Sequence, residues 1–253
     1  MKTIKALLIL FSVSQALCAQ TFELGTDFNF SQPVGPMKKN MNNAFGLSLD
    51  GALRFESPFS AGVEMSFGSY GHQTTRQQYR FDDGSVTETD VNVSNNILNL
   101  FLTGKHFLRK DKNINPYLSG KVGLTWFSTT LTIQDPEDES SCHPIESDIL
   151  SRDNTYVFSG GAGVRIDFQT FFPKVESKRY YFDLSVHSTQ GGIVKYMNVE
   201  KGSMQPMPDQ DVMAKFINTQ TQAIHEHHVG YVYSSVLNMV EYRLGVIFRP
   251  GFK

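Results

Sequence analysis

The most regular amphipathic stretch of the chain lies near its C-terminal end and reads Val240-Glu241-Tyr242-Arg243-Leu244-Gly245-Val246-Ile247-Phe248. Apolar residues occupy every second position, and the positions between them hold an acid, an arginine and a glycine, with Ile247 as the exception. Alternation with a period of two predicts a β-strand, because successive side chains of a strand point to opposite faces. Such a strand can lie between an apolar core and water, or between membrane lipid and the polar lumen of a barrel.

Seven segments upstream repeat this alternation, and the connections between them alternate in length. Short connections lie near Ser57, Lys110 and Lys174, and long ones near Pro36, Asp83, Glu139 and Met207. Short turns on one side and long loops on the other are typical of barrels in an outer membrane. The predicted fold class is therefore all-β, an antiparallel up-and-down transmembrane β-barrel. We expect eight strands, or ten if residues 191–230 contain another hairpin.

The N-terminal residues have the features of a secretory signal peptide. Lys2 and Lys5 precede a short apolar run, and small residues surround a cleavage site near Ala19 or Gln20. We therefore expect residues 1–19 to be removed and residues 20–253 to form a single barrel domain. Beyond the leader the sequence contains no apolar run of about 20 residues, which a membrane-spanning helix would need.

Charge and cysteine content exclude some functions. Loss of the leader removes two lysines and no acid, so the formal net charge changes from −2 to −4. This balance has no basic excess to favour nucleic acid. Only Cys142 remains after cleavage, so no intrachain disulfide is possible, and one cysteine alone makes no metal site. We expect no cofactor.

Charged residues collect on the face opposite the apolar one when the alternation is followed along all eight segments. In a barrel this face points inward, and we expect paired charges to close the narrow lumen. The expected members are Glu23, Asp27, Asp50, Arg54, Glu64, Lys105, Lys121, Arg165, Asp167, Asp183, His187, Glu241 and Arg243. A secreted soluble β-sandwich, which would turn the apolar face inward, is the alternative. Aromatic residues near the strand ends favour the barrel.

Three stretches carry a resemblance to a known family. They are Asn115-Pro116-Tyr117-Leu118-Ser119-Gly120-Lys121-Val122-Gly123, Gly160-Gly161-Ala162-Gly163-Val164-Arg165-Ile166-Asp167-Phe168 and Tyr242-Arg243-Leu244-Gly245-Val246-Ile247-Phe248. They resemble outer-membrane β-barrel domains of the OmpA-like and small Bacteroidota kind. The resemblance implies a place in the outer membrane of a Gram-negative bacterium, contact with its lipid and lipopolysaccharide, and assembly by the outer-membrane insertion machinery. That machinery reads a terminal strand usually ending in an aromatic residue, whereas here Arg249-Pro250-Gly251 follows Phe248 and Lys253 ends the chain.

The segment around His187 resembles the His-x-Ser-Asn stretch of outer-membrane lipid A deacylases. The resemblance implies that His187 is the base that activates a serine nucleophile. Here Thr189 stands at the serine position and Gln190 at the asparagine position, and Ser188 lies on the opposite face of the strand. The alternative is a lumen histidine hydrogen-bonded to Asp183 or a neighbour.

The second histidine cluster is Ile224-His225-Glu226-His227-His228. On an extended segment His225 and His227 share a face, but two ligands do not make a metal site, and we expect none. The leading hypothesis is a non-enzymatic barrel with a structural or surface-interaction role, whose loops, residues 134–154 and 191–230, meet an envelope or extracellular protein. A lipid A-modifying enzyme and a soluble sandwich are the alternatives.

Overall fold

The computed structural model describes residues 21–55, 58–80, 84, 86–109, 113–134, 146–175, 179–199, 209–217 and 224–250. These residues form nine strands, which are β1 (Thr21–Pro33), β2 (Ala44–Arg54), β3 (Phe59–Arg80), β4 (Val86–Phe107), β5 (Ile114–Gln134), β6 (Glu146–Asp167), β7 (Tyr180–Asn198), β8 (Gln210–Ile217) and β9 (Ile224–Phe248). Two short 3₁₀ helices span Gly35–Lys39 and Phe168–Thr170. No helix in the described part of the chain is long and apolar enough to cross a membrane.

Eight of these strands close into an antiparallel barrel. Strands β1 to β7 pair consecutively, β7 pairs with β9, and β9 pairs back with β1. At the closure Leu24 lies opposite Phe248 and Pro33 lies opposite Met239. The eight-stranded prediction is confirmed, and the ten-stranded and sandwich alternatives are wrong. Strand β8 pairs only with the beginning of β9 and takes no part in the closure.

The outer wall carries a continuous apolar belt around the barrel. On β3 the outward residues are apolar from Phe59 to Phe67, and on β9 they are apolar from Val240 to Phe248. Runs of this length match the nine to eleven residues that a tilted strand needs to cross a bilayer. The end of the barrel where Thr21 and Phe248 lie is here called the turn end, and the opposite end is called the loop end.

At the loop end the strands continue far past the belt and separate into two layers. The β6–β7 ladder ends at the Val157–Gly191 pair. Beyond it, residues 70–80, 86–97, 127–134 and 146–156 of β3 to β6 continue as one sheet, the wall sheet. The second layer, here the mouth layer, consists of residues 194–198 of β7, residues 229–233 of β9 and β8.

The centre of the mouth layer, where β7 pairs with β9, is buried on both faces. Tyr196 and Met197 are consecutive in β7, face Tyr233 and Val232 of β9, and all four are buried. Consecutive residues of a strand point to opposite faces, so each face of this layer is covered. The Tyr196 face packs on an apolar cluster in the lumen, and the Met197 face packs on inward residues of the wall sheet. The layer therefore crosses the mouth of the barrel.

This arrangement corrects the two predicted loops. Strand β6 already begins at Glu146, inside the predicted loop 134–154. The stretch 191–230 holds the end of β7, all of β8 and the start of β9. Residues 146–154 of β6 are polar because one face of the wall sheet meets water, which weakens the apolar alternation without preventing strand pairing. The β7–β9 register shifts between Gln190 and Ile193, where two glycines let β7 turn across the mouth.

Candidate functional site

All the residues predicted to face inward lie inside the barrel. Eleven of the thirteen are buried, and Arg54 and Lys105 are half-buried. The buried ones are Glu23, Asp27, Asp50, Glu64, Lys121, Arg165, Asp167, Asp183, His187, Glu241 and Arg243. Ile247, the exception in the closing strand, also faces inward and is 1% exposed. The alternation therefore continues to the turn end of β9, and the apolar residue is part of the interior.

A first charge cluster fills the lumen near the turn end. Arg165 Nη1 donates to both carboxylate oxygens of Glu23, at 3.0 and 2.9 Å. Arg249 Nη2 reaches the same carboxylate at 2.7 Å. Asp183 lies 3.5 Å from Arg165 Nε and also accepts a hydrogen bond from the Tyr117 hydroxyl. Two arginines thus enclose Glu23, and the Arg249 that follows the closing strand is one of its partners.

A second charge cluster lies further toward the loop end. Lys121 Nζ is 3.0 Å from Glu64 and 3.7 Å from Glu241. Arg243 pairs with both of these carboxylates and lies 3.9 Å from Asp27. The four residues nearest the centre come from β3, β5 and β9, so the cluster crosses the lumen. Charges this deeply buried are tolerated only when paired in this way.

Five of the predicted members lie outside the ion pairs of these clusters, namely Asp50, Arg54, Lys105, Asp167 and His187. The Lys105 Nζ lies 5.4 Å from the centre of the Tyr117 ring. The Arg54 guanidinium stacks over the ring of Phe107 at 3.6 Å. Asp167 accepts a hydrogen bond from the Gln169 backbone N–H at 2.9 Å, which caps the short helix at the turn end. His187 Nε2 lies 2.8 Å from the Ser119 hydroxyl, and its Nδ1 has no hydrogen-bond partner in the described part of the chain.

In the described part of the chain, neither Ser188 nor Thr189 forms a hydrogen bond with His187. Ser188 is exposed on the outer wall, and the Thr189 hydroxyl donates to Ser159 at 2.9 Å. The hydroxyl that contacts the imidazole belongs to Ser119 on β5. Predicting this contact would have required the register of β5 with β6 and of β6 with β7. Both Ser119 and His187 are buried in the closed lumen. The alternative partner, Asp183, instead joins the first charge cluster.

Above the charges the lumen becomes neutral and then apolar. Asn99 links Ser66 and Thr125 through hydrogen bonds of 2.8 and 2.7 Å. A cavity of about 30 Å³ lies beside them, the size of a single water molecule, and Glu241 and Met239 contribute to its lining. Further up, thirteen buried residues form an apolar cluster, which consists of Met37, Met41, Ala44, Tyr70, Ile97, Phe101, Phe127, Val157, Val194, Tyr196, Tyr233, Leu237 and Met239.

This apolar cluster is the main feature that the sequence did not reveal. Met37 belongs to the short helix between β1 and β2, which the sequence predicted as an outer loop, yet it is fully buried. Tyr70, Ile97 and Phe127 are inward residues beyond the apolar belt. Their burial could have been suspected from the apolar residues that interrupt the polar face at Ile97 and Phe101. The lumen is therefore blocked twice, by charges and by apolar side chains.

The second histidine cluster lies at the start of β9, where His225 is opposite Phe216 and His227 is opposite Ala214. The side chains of both histidines lie outside the described residues. Within the described part of the chain, no group of three or more histidine, cysteine or acidic side chains could hold a metal ion. Cys142 also lies outside the described residues.

Outside the barrel, the wall sheet carries a chain of polar contacts. His72 Nδ1 lies 2.9 Å from the Ser94 hydroxyl, and His72 Nε2 lies 3.0 Å from Thr74. Thr74 donates to Asn92 at 2.7 Å. Beside them Arg76 forms an ion pair with Asp90 at 3.0 Å. This face of the wall sheet is polar and meets water.

Comparison with known proteins gives one family. The model of the outer membrane protein beta-barrel domain family matches residues 3–200. Similar solved structures include Neisserial surface protein A, with 8% identity, 90% of this chain and 97% of that chain covered, and a TM-score of 0.47. For a major outer membrane protein from Thermus thermophilus the identity is 10%, the coverage is 92% of this chain and 100% of that chain, and the TM-score is 0.42. For the N-terminal β-barrel domain of Pseudomonas aeruginosa OprF the identity is 10%, the coverage is 89% of this chain and 97% of that chain, and the TM-score is 0.34. No curated protein sequence matches the chain.

Proposed function

Because the chain belongs to the outer membrane protein β-barrel domain family and lies in the outer membrane of a Gram-negative bacterium, we propose that it is a non-enzymatic surface-interaction protein. In this orientation the turn end faces the periplasm and the loop end faces the outside, as short turns and long loops do in such barrels. The belt then contacts membrane lipid and lipopolysaccharide, and the insertion machinery assembles the barrel. The wall sheet and the mouth layer form its external region.

The blocked lumen supports a role other than transport. An eight-stranded barrel has an interior just wide enough for side chains to fill. Here the paired charges around Arg243 and Arg165 occupy the periplasmic half, and the apolar cluster around Met37 and Phe127 occupies the external half. An ion would have to displace both sets of side chains to pass.

The observation that carries the proposal is the folded external region. Strands β3 to β6 continue about ten residues beyond the belt, far more than a bilayer requires. The mouth layer packs on them through a second apolar cluster that includes Val91, Leu131 and Val232. A region with its own apolar core holds a defined surface outside the cell, which suits the binding of a partner rather than lipid anchoring.

The histidine sites give an enzymatic role no comparable support. The Ser119–His187 pair has a base and a hydroxyl in contact, but both side chains lie in the closed interior, between the two charge clusters and the neutral layer. A lipid substrate would have no path to it. The external role therefore has the stronger structural basis.

The test uses Gram-negative cells that display either the full chain or a variant with a shortened β3–β4 hairpin. In the variant an Asn-Gly turn joins His72 to Ser94, which lie opposite each other and can be closed by a two-residue turn. Heat-modifiable migration on a gel serves as the control that both barrels fold. We expect the full chain to increase adhesion to cells or coated surfaces and the variant to lose this increase. Equal adhesion by both, together with a steady ion current through the purified chain, would overturn the proposal.

A further inference from the structure

The connection between β6 and β7 at the turn end is rich in aromatic residues. Strand β6 ends at Asp167, and the chain continues as Phe168-Gln169-Thr170-Phe171-Phe172-Pro173-Lys174-Val175. The backbone N–H groups of Phe171 and Phe172 both donate to the Phe168 carbonyl, at 3.0 and 2.8 Å. Residues 168–175 are here called the foot. Because these bonds fix the backbone, they also fix the direction in which the rings of the foot lie.

The foot folds back along the outer wall instead of crossing the end of the barrel. The Phe168 ring stacks on Phe182 with the ring centroids 4.0 Å apart, and Phe171 meets Phe182 edge-on at 5.9 Å. Phe182 shares the outward face of β7 with Leu184 and Val186, which are exposed. Phe182 itself is only half-exposed, because the two rings of the foot cover it. The foot therefore lies against the belt at its turn-end border.

Two rings of the foot remain uncovered. Phe171 is 58% exposed and Phe172 is 51% exposed. A turn that meets water is usually built from glycine, proline, asparagine, aspartate and serine, and adjacent exposed rings mark a surface that contacts something else. Since Phe171 packs on a belt residue, its exposed side continues the lipid-facing surface of the belt beyond the ends of the strands.

A basic residue lies at a fixed position beside these rings. The Val175 N–H donates to the Phe172 carbonyl at 2.9 Å, which closes a β-turn with Pro173 at its second position. Lys174 occupies the third position and is exposed. A lysine can lay its carbon chain along apolar surface while its ammonium group stays in water. Lys174 therefore suits a phosphate at the border between lipid and water.

We propose that the foot binds glycerophospholipid of the inner leaflet, with Phe171 and Phe172 among the upper parts of the acyl chains and Lys174 at the phosphate. The inference goes beyond the proposed function, because it concerns the periplasmic end of the barrel and not its external region. An anionic phospholipid is favoured over a zwitterionic one, whose headgroup already balances the phosphate with a cation of its own. Basic residues near a membrane surface attract anionic lipid in this way.

The foot also adjoins the end of the closing strand. Tyr180, the first residue of β7, has its ring 5.1 Å from the ring of Phe248, the last residue of β9. The Arg249 N–H donates to the Arg179 carbonyl at 2.8 Å. Lipid held by the foot therefore lies beside the contact between β7 and β9.

A protein partner suits this surface less well than lipid. A large aromatic side chain buries about 150–250 Å². The two rings together offer less than about 500 Å², whereas a standard protein interface buries about 800 Å² on each partner. Lipid needs no such minimum here, because the rings only extend a belt that is already in contact with it.

The first test measures where the foot lies. Trp126 is the only tryptophan of the chain, so Phe172→Trp in a Trp126→Phe background carries a single fluorescent reporter. The folded full chain is placed in vesicles of phospholipid brominated on the upper acyl carbons, and heat-modifiable migration confirms folding. We expect the bromine to quench the reporter and acrylamide in the water to quench it little. Thr74→Trp in the same background is the control, because Thr74 is exposed on the wall sheet, and it should show the reverse pattern.

The second test measures the choice of headgroup with the same reporter. The vesicles contain a small fraction of brominated lipid, either anionic phosphatidylglycerol or zwitterionic phosphatidylcholine, and we expect the anionic lipid to quench more. Lys174→Glu should lower this enrichment by roughly fivefold, the factor that one basic residue near a charged surface provides. Arg109→Glu is the matched control and should leave the enrichment unchanged, because Arg109 is an exposed arginine beside the β4–β5 turn at the same end of the barrel.

Three results would overturn the inference. Quenching of the reporter at Phe172 by acrylamide but not by bromine would place the foot in water. Protection from both quenchers would show that protein covers the ring, as in contact with a second copy of the chain. Equal quenching by the two headgroups, or equal effects of the two charge changes, would show that Lys174 does not contact the phosphate. The adhesion experiment on the external region is independent of all three.

Discussion

Arg165 and Glu23 are separated by 142 residues in sequence, yet Nη1 of the arginine lies 3.0 and 2.9 Å from the two carboxylate oxygens. Both residues are 1% exposed. The pair joins β6 to β1 across the lumen, and Arg249 approaches the same carboxylate from the residue after β9. The contact therefore connects the two strands at the closure with the opposite wall of the barrel.

Replacing Arg165 should destabilise the barrel strongly. Arg165→Ala leaves Glu23 buried with only Arg249 as its partner, and removing one member of a buried ion pair costs about 3–5 kcal/mol. We expect the midpoint of urea unfolding in micelles to fall accordingly. Arg152→Ala, an exposed arginine, is the control and should change the free energy of unfolding by less than about 0.5 kcal/mol. Equal effects of the two changes would contradict the pairing.

Glycines beside the lumen carboxylates should be far less replaceable than glycines on the outer wall. A Cβ at Gly245 would collide with the Asp27 carboxylate, whereas a Cβ at Gly160 would have no atom within 4 Å. Gly245→Ala must displace Asp27, with a cost of about 1–3 kcal/mol. Gly160→Ala should be near neutral. Unfolding of both variants in urea compares the two positions directly, and a larger effect at Gly160 would show that the facing assignment is wrong.

The alternation of side chains was enough to predict the eight strands, their order and the inward set of charges. The closing strand shows why, since Tyr242 and Leu244 face out, and Glu241 and Arg243 face in. A period of two states the face of each residue, because a slip of one residue would move the whole set of charged side chains to the lipid face. The tail was the feature that fitted least. Arg249 now has a partner in Glu23, whereas residues 251–253 lie outside the described part.

The sequence could not predict the contacts between distant strands or the filling of the external half. Whether His187 meets Ser119 or Asp183 depends on the strand tilt and stagger across β5 to β7, which no local pattern encodes. The mouth layer was missed for a related reason. Tyr196 and Met197 are both apolar, and such a pair breaks the alternation that marks a wall strand. Adjacent apolar residues of this kind indicate a strand that is buried on both faces, and the interpretation of this stretch as a loop did not take them into account.

The doubly blocked lumen predicts that either layer alone is enough to prevent conductance. Purified wild-type chain in planar bilayers should give no steady ion current. Lys121→Ala opens space in the charge clusters and Tyr196→Ala opens space in the apolar cluster, and each leaves the other block intact. We expect a current only when the two changes are combined. A steady current from either single variant would show that only one layer closes the lumen.

The position of the belt can be tested by moving a charge along the outer face of a single strand. Leu100 lies in the middle of the belt on β4 and is 44% exposed, and Ser94 lies on the same face beyond the belt edge. An arginine on the lipid face near the midplane costs about 2–4 kcal/mol, and one near the interface costs about 0–1 kcal/mol. We therefore expect Leu100→Arg to lower the free energy of unfolding in lipid vesicles by the larger amount and Ser94→Arg to leave it almost unchanged. Both variants carry the same new charge on the same strand, so the difference between them measures depth in the bilayer. If Ser94→Arg proved the more costly, the wall sheet would lie in the membrane, and the proposed external role of that sheet would have to be abandoned with it.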